Sequence, residues 1–399
     1  MGLLPFPSAY PFLFLLFVAP LREAAPSTAL WAAPAILIAS LMIAWAAEAS
    51  QFFIAQGFAL AILAWLQTLP EFAVEAVWAW HQQVPLLMAN LTGALRLLTG
   101  LGWPMIYFTA AMFHRRRGGP PLKAVHLEPH HAVEVVGLLV PLLYIGYIVY
   151  KNSLTVFDAV PLIVIYAAYL FVLSKLPAED PETIEDLEAI PRKIVLSPRA
   201  ARIAIIAVLF VAGGALIYVS AEPFAASLLA LASILGIPTF VFVQWVAPLV
   251  SEFPEMASTF YWARTVHRAP MALMNMVSSN INQWTLLAAM LPIVLSIGAG
   301  ALTPIQFDSQ QRLELLMTLG QALVGMMFLL NMELAWWEAT VLFVLFLIPF
   351  ASSATAPYVT GAYFVWAGIE LVRMLLGHRK PDALVQFAQV WKTHVRQAG

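Results

Sequence analysis

The chain lacks cysteine entirely and has few charged residues. None of its 399 residues is a cysteine, which excludes disulfide bonds, thiol nucleophiles and cysteine-ligated metals. Charged residues make up 11% of the chain, whereas an average soluble domain has about 25%. The sequence also has no P-loop, nucleophile elbow or His-Glu zinc motif, so nothing in it indicates an enzyme. The formal net charge of −2 gives no indication of nucleic-acid binding.

What remains is a sequence that is 62% hydrophobic, and this composition predicts an integral membrane protein. The apolar runs are long enough to cross a bilayer, which takes about 20 residues each. Twelve membrane helices are predicted. They cover residues 6–21, 28–47, 49–80, 85–113, 132–150, 154–176, 201–221, 223–234 running into 238–262, 271–302, 313–331, 335–350 and 355–376. The first run lacks the basic start of a signal peptide, so we expect it to be retained.

Basic residues cluster after every second or fourth predicted helix. The clusters fall at residues 114–117, 175–199, 264–268 and 373–380, all on one side of the membrane if there are twelve helices. Because cytoplasmic loops carry an excess of Lys and Arg, this side is expected to be the cytoplasm. The sequence therefore predicts a multi-pass protein of the cell membrane whose central loop and C-terminus are cytoplasmic.

A Pro-Glu pair interrupts two of the predicted helices. The first lies in Thr68-Leu69-Pro70-Glu71 and the second in Glu252-Phe253-Pro254-Glu255. A carboxylate at the centre of a membrane helix costs about 2.5–3.5 kcal/mol on insertion scales, so it indicates a functional site. Proline breaks the helix and frees carbonyl groups, which is tolerated only against protein or a water-filled cavity. Two such helices in corresponding halves are typical of a transporter with a binding site at mid-membrane.

The two halves are predicted to have opposite orientations in the membrane. The first Pro-Glu helix runs outward and the second inward, and an Asn follows each Glu after 19 and 20 residues, at Asn90 and Asn275. We therefore predict an all-α polytopic membrane protein made of two inverted five-helix repeats plus about two extra helices. The predicted divisions are residues 1–27 (extra helix), 28–176 (first repeat), 177–199 (cytoplasmic linker), 200–352 (second repeat) and 353–399 (extra helix and tail).

The second repeat carries the richer set of oxygen ligands. Glu252 and Glu255 are three residues apart and share a helix face, with Ser251 beside them. On the next helix one face holds polar residues at the spacing of successive turns. These are Asn275, Ser278, Ser279 and Asn282, with Gln283 one turn beyond Ser279. A hard cation such as Ca²⁺ binds six to eight such oxygens. The alternative is that the Ser and Asn side chains only join helices through hydrogen bonds.

The first repeat has fewer polar residues at the matching places. Thr68 and Glu71 are followed by Glu75, one turn along the same face, and then by Asn90. Arg96 is an unexpected charge on that next helix. It is predicted either to pair with a carboxylate such as Glu75 inside the bundle or to extend to the membrane interface.

This pattern resembles the calcium/cation antiporter superfamily, in particular the membrane region of the sodium/calcium exchangers. The second repeat resembles the family more closely, in Val250-Ser251-Glu252-Phe253-Pro254-Glu255 and in the stretch from Met274 to Gln283. The first is similar only in part, at residues 66–71 and 89–93. The resemblance implies that Glu71 and Glu255 are central cation ligands. It implies further ligands at Thr68, Ser251, Ser279 and Gln283. Three departures are Glu252 in place of a hydroxyl, and Ala94 and Leu98 in place of a Ser and an Asn ligand.

The sequence thus predicts a secondary antiporter that exchanges Ca²⁺ or a related cation for Na⁺ or H⁺. The expected ligands are Glu71, Glu255, Thr68, Glu252, Ser251, Asn90, Asn275, Ser279 and Gln283. No cofactor is expected, since these ions are substrates, and the expected partners are inorganic cations and the lipid bilayer. The oligomeric state is left open. The alternative is a non-transporting scaffold or sensor with the exchanger fold, in which Arg96 fills the cation site.

Other polar residues of the sequence are less indicative of a binding site. His130, His131 and Glu134 resemble metal ligands, but their place at a membrane boundary favours a solvated helix start. The acidic residues of the central linker lack the spacing of a Ca²⁺-binding loop and are predicted to be solvated. Glu48 and Glu222 lie at matching places near the helix breaks, where they either cap helices or line an access path.

Overall fold

The structure is a computed structural model that describes residues 24–50, 68–176 and 187–396. The predicted helix at residues 6–21, the first half of the helix at 49–80 and most acidic residues of the linker lie outside these ranges. The described residues of the first half of the chain form six α-helices. They are α1 (Ala29–Ser50), α2 (Leu69–Trp80), α3 (Val84–Leu97), α4 (Trp103–Arg116), α5 (Ala132–Lys151) and α6 (Val156–Leu173).

The second half begins with a short helix of the linker, α7 (Ala189–Leu196), and then repeats the pattern. Its helices are α8 (Arg199–Leu235), α9 (Thr239–Ser251), α10 (Phe253–Ala263), α11 (Ala269–Asn282), α12 (Ala288–Ala299), α13 (Ser309–Leu329) and α14 (Trp336–Ala351), followed by α15 (Ala356–Leu375) and α16 (Asp382–Val390). Single 3₁₀ turns cover Pro26–Thr28, Pro129–His131 and Ser353–Thr355, and a π-helical segment covers Trp391–Arg396.

Membrane-spanning helices dominate the described residues, and the all-α polytopic prediction is confirmed. Seven helices in this part of the chain are long and apolar enough to cross a bilayer, and two apolar helices, Thr239–Ser251 and Trp336–Ala351, are shorter. The largest contacts are between α1 and α8, which lie along each other and pack on α2, while α3 packs on α9 and α13. The helix count itself stays a prediction, because part of the chain lies outside the described residues.

One predicted boundary is wrong. Residues 223–234 were expected to begin a new helix, but α8 continues through Pro223 to Leu235 as one helix of 37 residues. Such a helix is about 55 Å long and exceeds the hydrocarbon thickness of about 30 Å. A proline removes one backbone hydrogen bond but is tolerated in a membrane helix when its neighbours support the helix. Here α1 and α2 pack along α8 and provide that support.

Both Pro-Glu pairs lie in the first turn of a helix. In the second repeat α9 ends at Ser251, Glu252 forms the junction, and α10 begins at Phe253 with Pro254 in its first turn. In the first repeat α2 begins at Leu69, directly before Pro70. Proline suits this position because its missing N–H would have no partner in the first turn. The helix start then places Glu71 and Glu255 near the positive end of a helix dipole.

Each half also contains a π-helical turn in its next long helix. Leu98–Gly102 joins α3 to α4 and Gln283–Leu287 joins α11 to α12. The two turns start 185 residues apart, as do Asn90 and Asn275. Single π-turns occur frequently at functional sites. The repeats therefore share a local irregularity that no motif in the sequence had indicated.

Two short antiparallel strand pairs join one half to the other. β1 (Ala124–His126) pairs with β4 (Glu333–Ala335), and β2 (Ser153–Leu154) pairs with β3 (Ile305–Gln306). β1 and β2 belong to the first half and flank α5, whereas β3 and β4 belong to the second half and flank α13. The two pairs therefore lie at opposite ends of these central helices, and each connects the repeats through backbone hydrogen bonds.

The C-terminal segment folds back onto the bundle. Arg379 follows α15 and is buried, with its guanidinium bound to Glu338 at 2.6 Å and to Glu370 at 3.1 Å. The next helix, α16, packs on α5 and on the turn Pro129–His131. This segment corrects the prediction of a solvated helix start at Glu134, because it covers that end of α5 and leaves both His131 and Glu134 buried.

Candidate functional site

Four buried carboxyl groups lie near the two helix starts. Glu71 and Glu75 are on α2, Glu252 is at the junction between α9 and α10, and Glu255 is in the first turn of α10. They are between 0% and 6% exposed. Within the described ranges, none of them forms an ion pair with a Lys, Arg or His side chain. Buried charges without partners are strongly destabilising, so the group requires cations or protons from solution.

The carboxyl group of Glu255 is held by polar side chains of the next helix, α11. Ser279 donates a hydrogen bond to its Oε2 at 2.9 Å and Asn275 donates to its Oε1 at 3.3 Å. Both donors are on α11, four residues apart, so they share a face. These contacts fix the carboxyl group while its remaining lone pairs stay free for another ligand.

Gln283 connects the two repeats at the centre of the site. Its side-chain nitrogen donates to Glu71 Oε2 at 2.7 Å and to Glu252 Oε1 at 2.6 Å. It is the first residue of the π-turn, and the turn places its side chain between the Pro-Glu helices. The carboxyl groups of Glu71 and Glu252 also lie within hydrogen-bonding reach of each other, as do those of Glu252 and Glu255. The structure thus brings Glu71, Glu252, Glu255 and Gln283 into one cluster.

The two repeats use their Asn residues differently. In the second repeat Asn275 binds the first-turn carboxyl of Glu255, whereas Asn90 binds Glu75 at 3.1 Å and not Glu71. Thr68 is reached from the other repeat, since the amide of Asn282 donates to its hydroxyl at 2.6 Å. Glu75 and Asn90 therefore form a pair one turn along α2 from Glu71.

Several side-chain oxygens in this region are buried and accept no hydrogen bond from the described residues. They are Glu71 Oε1, Glu75 Oε2, Asn90 Oδ1, Asn282 Oδ1 and Gln283 Oε1. Carboxylate and amide oxygens of this kind are the ligands that hard cations prefer. No three His, Asp or Glu side chains in the described part of the chain converge enough to hold a metal by themselves. Any cation here must therefore share amide, hydroxyl or backbone oxygens as well.

The predicted ligand Ser251, and Ser278 of the predicted polar face, have hydrogen-bond partners outside the carboxyl cluster. The Ser251 hydroxyl donates to the carbonyl of Ala247 on its own helix, at 3.2 Å. Ser278 was expected on the same face as Ser279, but its hydroxyl contacts Tyr169 on α6 at 2.8 Å. Ser278 lies near the edge of the polar face, where α6 packs closely enough to offer a better partner.

Arg96 does not enter the site. Its guanidinium forms an ion pair with Glu314 on α13 at 2.7 Å and is 3% exposed. The prediction that Arg96 pairs with a carboxyl group inside the bundle is confirmed, but the partner is Glu314 and not Glu75. Glu314 is 218 residues from Arg96, and no local pattern indicates that α3 and α13 pack together. The alternative of a scaffold whose cation site is filled by Arg96 loses its basis.

A cavity of about 880 Å³ reaches the start of α2. It is lined by α1, α2, α8 and α12, from Leu69 at one end of α2 to His81 at the other. Glu222 lines it beside Ala221, and the alternative in which this residue lines an access path stays a prediction. Glu48, its counterpart, does not line this cavity.

Fold and site together define a class of protein: a multi-pass membrane protein with two inverted repeats that meet at buried carboxyl groups. The chain belongs to the sodium/calcium exchanger protein family, whose model matches residues 27–175 and 205–351. It is accordingly a transmembrane cation antiporter and not an enzyme.

Two solved structures show how similar the fold is to known exchangers. The crystal structure of the H⁺/Ca²⁺ exchanger CAX is 31% identical, with a TM-score of 0.82 over 95% of this chain and 93% of that chain. The sodium-calcium exchanger NCX_Mj, soaked with Na⁺ and no Ca²⁺, is 18% identical, with a TM-score of 0.52 over 82% of this chain and 97% of that one. A search of curated proteins found no match.

Proposed function

We propose that this antiporter exchanges Ca²⁺ for H⁺ at the cluster of Glu71, Glu252 and Glu255. The observation that carries the proposal is the presence of four buried carboxyl groups that form no ion pair with any Lys, Arg or His side chain of the described residues. Ca²⁺ supplies two positive charges in one step, and protons supply them when Ca²⁺ leaves. Each ion therefore replaces the other as the counter-charge that a buried carboxyl cluster requires.

The composition of the site favours protons over Na⁺ as the coupling ion. Relative to the sequence pattern of the Na⁺/Ca²⁺ exchangers, Glu252 adds a carboxyl group, while Ala94 and Leu98 remove neutral oxygen ligands. Carboxyl groups that lie side by side cannot all be ionised without a cation, so they can carry protons. The 31% identity with an H⁺/Ca²⁺ exchanger over nearly the whole chain supports the same conclusion.

In this proposal Glu71 and Glu255 are the principal ligands, from opposite repeats, and Glu252 is the third carboxylate. Neutral oxygens complete the set, from Thr68, Gln283 and Ser279. Asn275 orients Glu255. Asn90 and Ser251, which were also predicted as ligands, have poorer geometry, since Asn90 binds Glu75 and Ser251 donates to Ala247. Exchange then requires that the cluster open alternately to each side, with the central linker and the C-terminus in the cytoplasm.

The test is uptake of radioactive Ca²⁺ by purified protein in liposomes. We expect uptake when the interior is acidic, loss of uptake when an ionophore collapses the pH gradient, and no uptake from a Na⁺ gradient at equal pH. Uptake driven by Na⁺ alone would overturn the choice of coupling ion. If folded protein takes up no Ca²⁺ with either gradient, Ca²⁺ is not its substrate.

A further inference from the structure

A second buried polar cluster lies on another face of α3. It consists of Arg96 and Thr92 on α3, Glu314 on α13 and Gln244 on α9, and we call it the Arg96 cluster. All four residues are at most 7% exposed. Thr92 is two residues from Asn90, and positions two apart on a helix do not face the same way. The Arg96 cluster is therefore separate from the carboxyl groups that surround Asn90.

Its contacts tie three helices together. The ion pair between Arg96 and Glu314 measures 2.7 Å, and the side-chain nitrogen of Gln244 donates to the same Oε2 of Glu314 at 3.0 Å. Gln244 also reaches the hydroxyl of Thr92 at 3.3 Å. The guanidinium of Arg96 lies over the ring of Trp245, 5.4 Å from its centre. Charge-assisted hydrogen bonds and cation–π contacts gain strength when buried in this way.

The helix that these contacts hold is the one that leads to the site. Gln244 and Trp245 are on α9, which ends at the junction residue Glu252. Glu252 is eight residues beyond Gln244, about 12 Å along a helix. A Cβ atom on Gly93 would come within 2.0 Å of the Gln244 carbonyl oxygen, so the backbones of α3 and α9 approach closely at this point. A shift of α9 along α3 would therefore carry Glu252 with it.

Among the described residues, the arginine of this cluster has a counterpart position in the second repeat but no counterpart charge. The strands that flank α5 and α13 repeat after about 180 residues, which makes Glu134 the counterpart of Glu314. The polar helices α3 and α11 repeat after 185 residues, which places the apolar Ile281 where Arg96 would recur. The second repeat thus keeps the carboxyl group and lacks the arginine. The ion pair is therefore not common to both repeats, and Gln244 and Trp245 connect it to α9.

We propose that the Arg96 cluster positions α9 so that Glu252 and Glu255 face Glu71. Arg96 and Gln244 are positioning residues, because neither touches the carboxyl cluster and both act through the placement of α9. The inference rests on the proposed Ca²⁺ exchange, since its measure is the affinity of that site. It also gives a role to Arg96, a buried charge of the first repeat that cation binding does not use.

The test separates positioning from general stability with two matched Gln variants. Q244L removes the hydrogen bond between α9 and Glu314 and leaves the ion pair intact. Q321L is the control, because Gln321 is also buried and donates at 3.2 Å to the carbonyl of Arg96, but it is on α13 and does not reach α9. We measure the half-saturating Ca²⁺ concentration, the maximal rate per folded protein and the melting temperature of each variant.

Q244L is expected to raise the half-saturating Ca²⁺ concentration roughly tenfold, since a hydrogen bond to a charged group contributes about that factor. The maximal rate per folded protein should fall less, and Q321L should stay near the wild-type half-saturation. An unchanged value for Q244L, or equal changes in Q244L and Q321L, would overturn the proposal. Wild-type protein without Ca²⁺ uptake would instead contradict the proposed function.

A double variant provides a second test. R96M and E314Q each leave one buried charge without a partner, which is strongly destabilising. R96M/E314Q removes both charges and should recover the folded yield lost in the single variants. If the cluster positions α9, the recovered protein still shows a raised half-saturating Ca²⁺ concentration. A double variant with wild-type half-saturation would show that the ion pair serves folding alone.

Discussion

At the scale of single residues, the site combines fixed and free oxygens. Glu255 has both carboxyl oxygens bound by α11, whereas Glu71 has one oxygen bound by Gln283 and one without a partner among the described residues. Glu255 is thus the more rigid carboxyl group and Glu71 the less restrained one. This difference would allow the cluster to bind a cation and to release it. In the proposed exchange both carboxyl groups are ionised when Ca²⁺ binds, so each would contribute charge that an amide cannot replace.

The substitutions Glu71→Gln and Glu255→Gln test this requirement. Each keeps the size of the side chain and removes its charge, and we expect Ca²⁺ uptake to fall by about 100-fold, the upper end of the effect seen for groups that support metal ligands. The measurement is the initial uptake rate in liposomes at equal amounts of folded protein. Glu128→Gln is the control, since that carboxyl group is 66% exposed and distant in sequence from both helix starts. Near-normal uptake by either site variant would remove that residue from the ligand set.

The residue pairs show what could be predicted and what could not. Glu255, Asn275 and Ser279 were predicted as a group because helical spacing places them on the facing sides of neighbouring helices. The bridge from Gln283 to Glu71 and Glu252 depends on a π-turn and on contact between the repeats, neither of which a local pattern encodes. For the same reason Asn282 and Glu75 were noticed as polar residues but not assigned to the site.

At the scale of elements, the backbones of α3 and α9 approach each other closely beside the site. The two helices meet at Gly93. In the sequence, Gly93 stood out only as part of the partial motif at residues 89–93. The structure gives its physical reason, since any side chain at this position would meet the carbonyl oxygen of Gln244. Close helix approach through a small residue is a common way to pack membrane helices.

Gly93→Ala should therefore be destabilising even though alanine favours helices. We expect a lower melting temperature and a higher half-saturating Ca²⁺ concentration, because α9 must move away from α3. Gly146→Ala is the matched control, since Gly146 is in α5 and a Cβ there meets no atom within 4 Å. That control should gain up to about 1 kcal/mol from helix propensity. Equal stability of the two variants would show that α3 and α9 can separate at no cost.

The elements also show the limits of sequence patterns. Hydropathy located the membrane helices well because the bilayer imposes their length and composition. It placed a boundary at Pro223 wrongly, because whether a proline ends a helix depends on the helices packed around it. The partner of Arg96 was equally inaccessible, since it depends on how α3, α9 and α13 meet.

At the scale of the whole molecule, the strand pairs join the repeats at both ends of α5 and α13. Each pair is short, but it connects residues that are far apart in the chain. Neither pair includes a strand next to α1 or α8. The strand pairs thus join parts of both repeats into one central unit, while α1 and α8 make their largest contact with each other.

A disulfide between β2 and β3 tests whether this unit stays intact during exchange. Ser153 and Gln306 are directly opposite each other, and the Cα atoms of such pairs lie about 4.5–5.5 Å apart, within disulfide range. The chain has no cysteine of its own, so S153C/Q306C can form only the intended bond within one molecule. We expect oxidation to cross-link the repeats without loss of Ca²⁺ uptake.

The cross-link is detected after proteolysis in the central linker, since linked halves migrate as one species without reductant and as two with it. The single variants S153C and Q306C are the controls for effects of substitution. Loss of uptake on oxidation and recovery on reduction, in the double variant alone, would mean that the strand pair must separate during each cycle.

The single ion pair of Arg96 and Glu314 has a consequence for the direction of exchange. In a protein built from inverted repeats, the state open to one side becomes the state open to the other when the repeats exchange their conformations. Perfect symmetry would give the two states equal free energies. The second repeat has Ile281 where the first has Arg96. The outward-open and inward-open states are therefore not equivalent, because the ion pair is formed by one repeat's arginine alone. The empty carrier therefore has a preferred facing, and Ca²⁺ should bind with different apparent affinities from the two sides of the membrane.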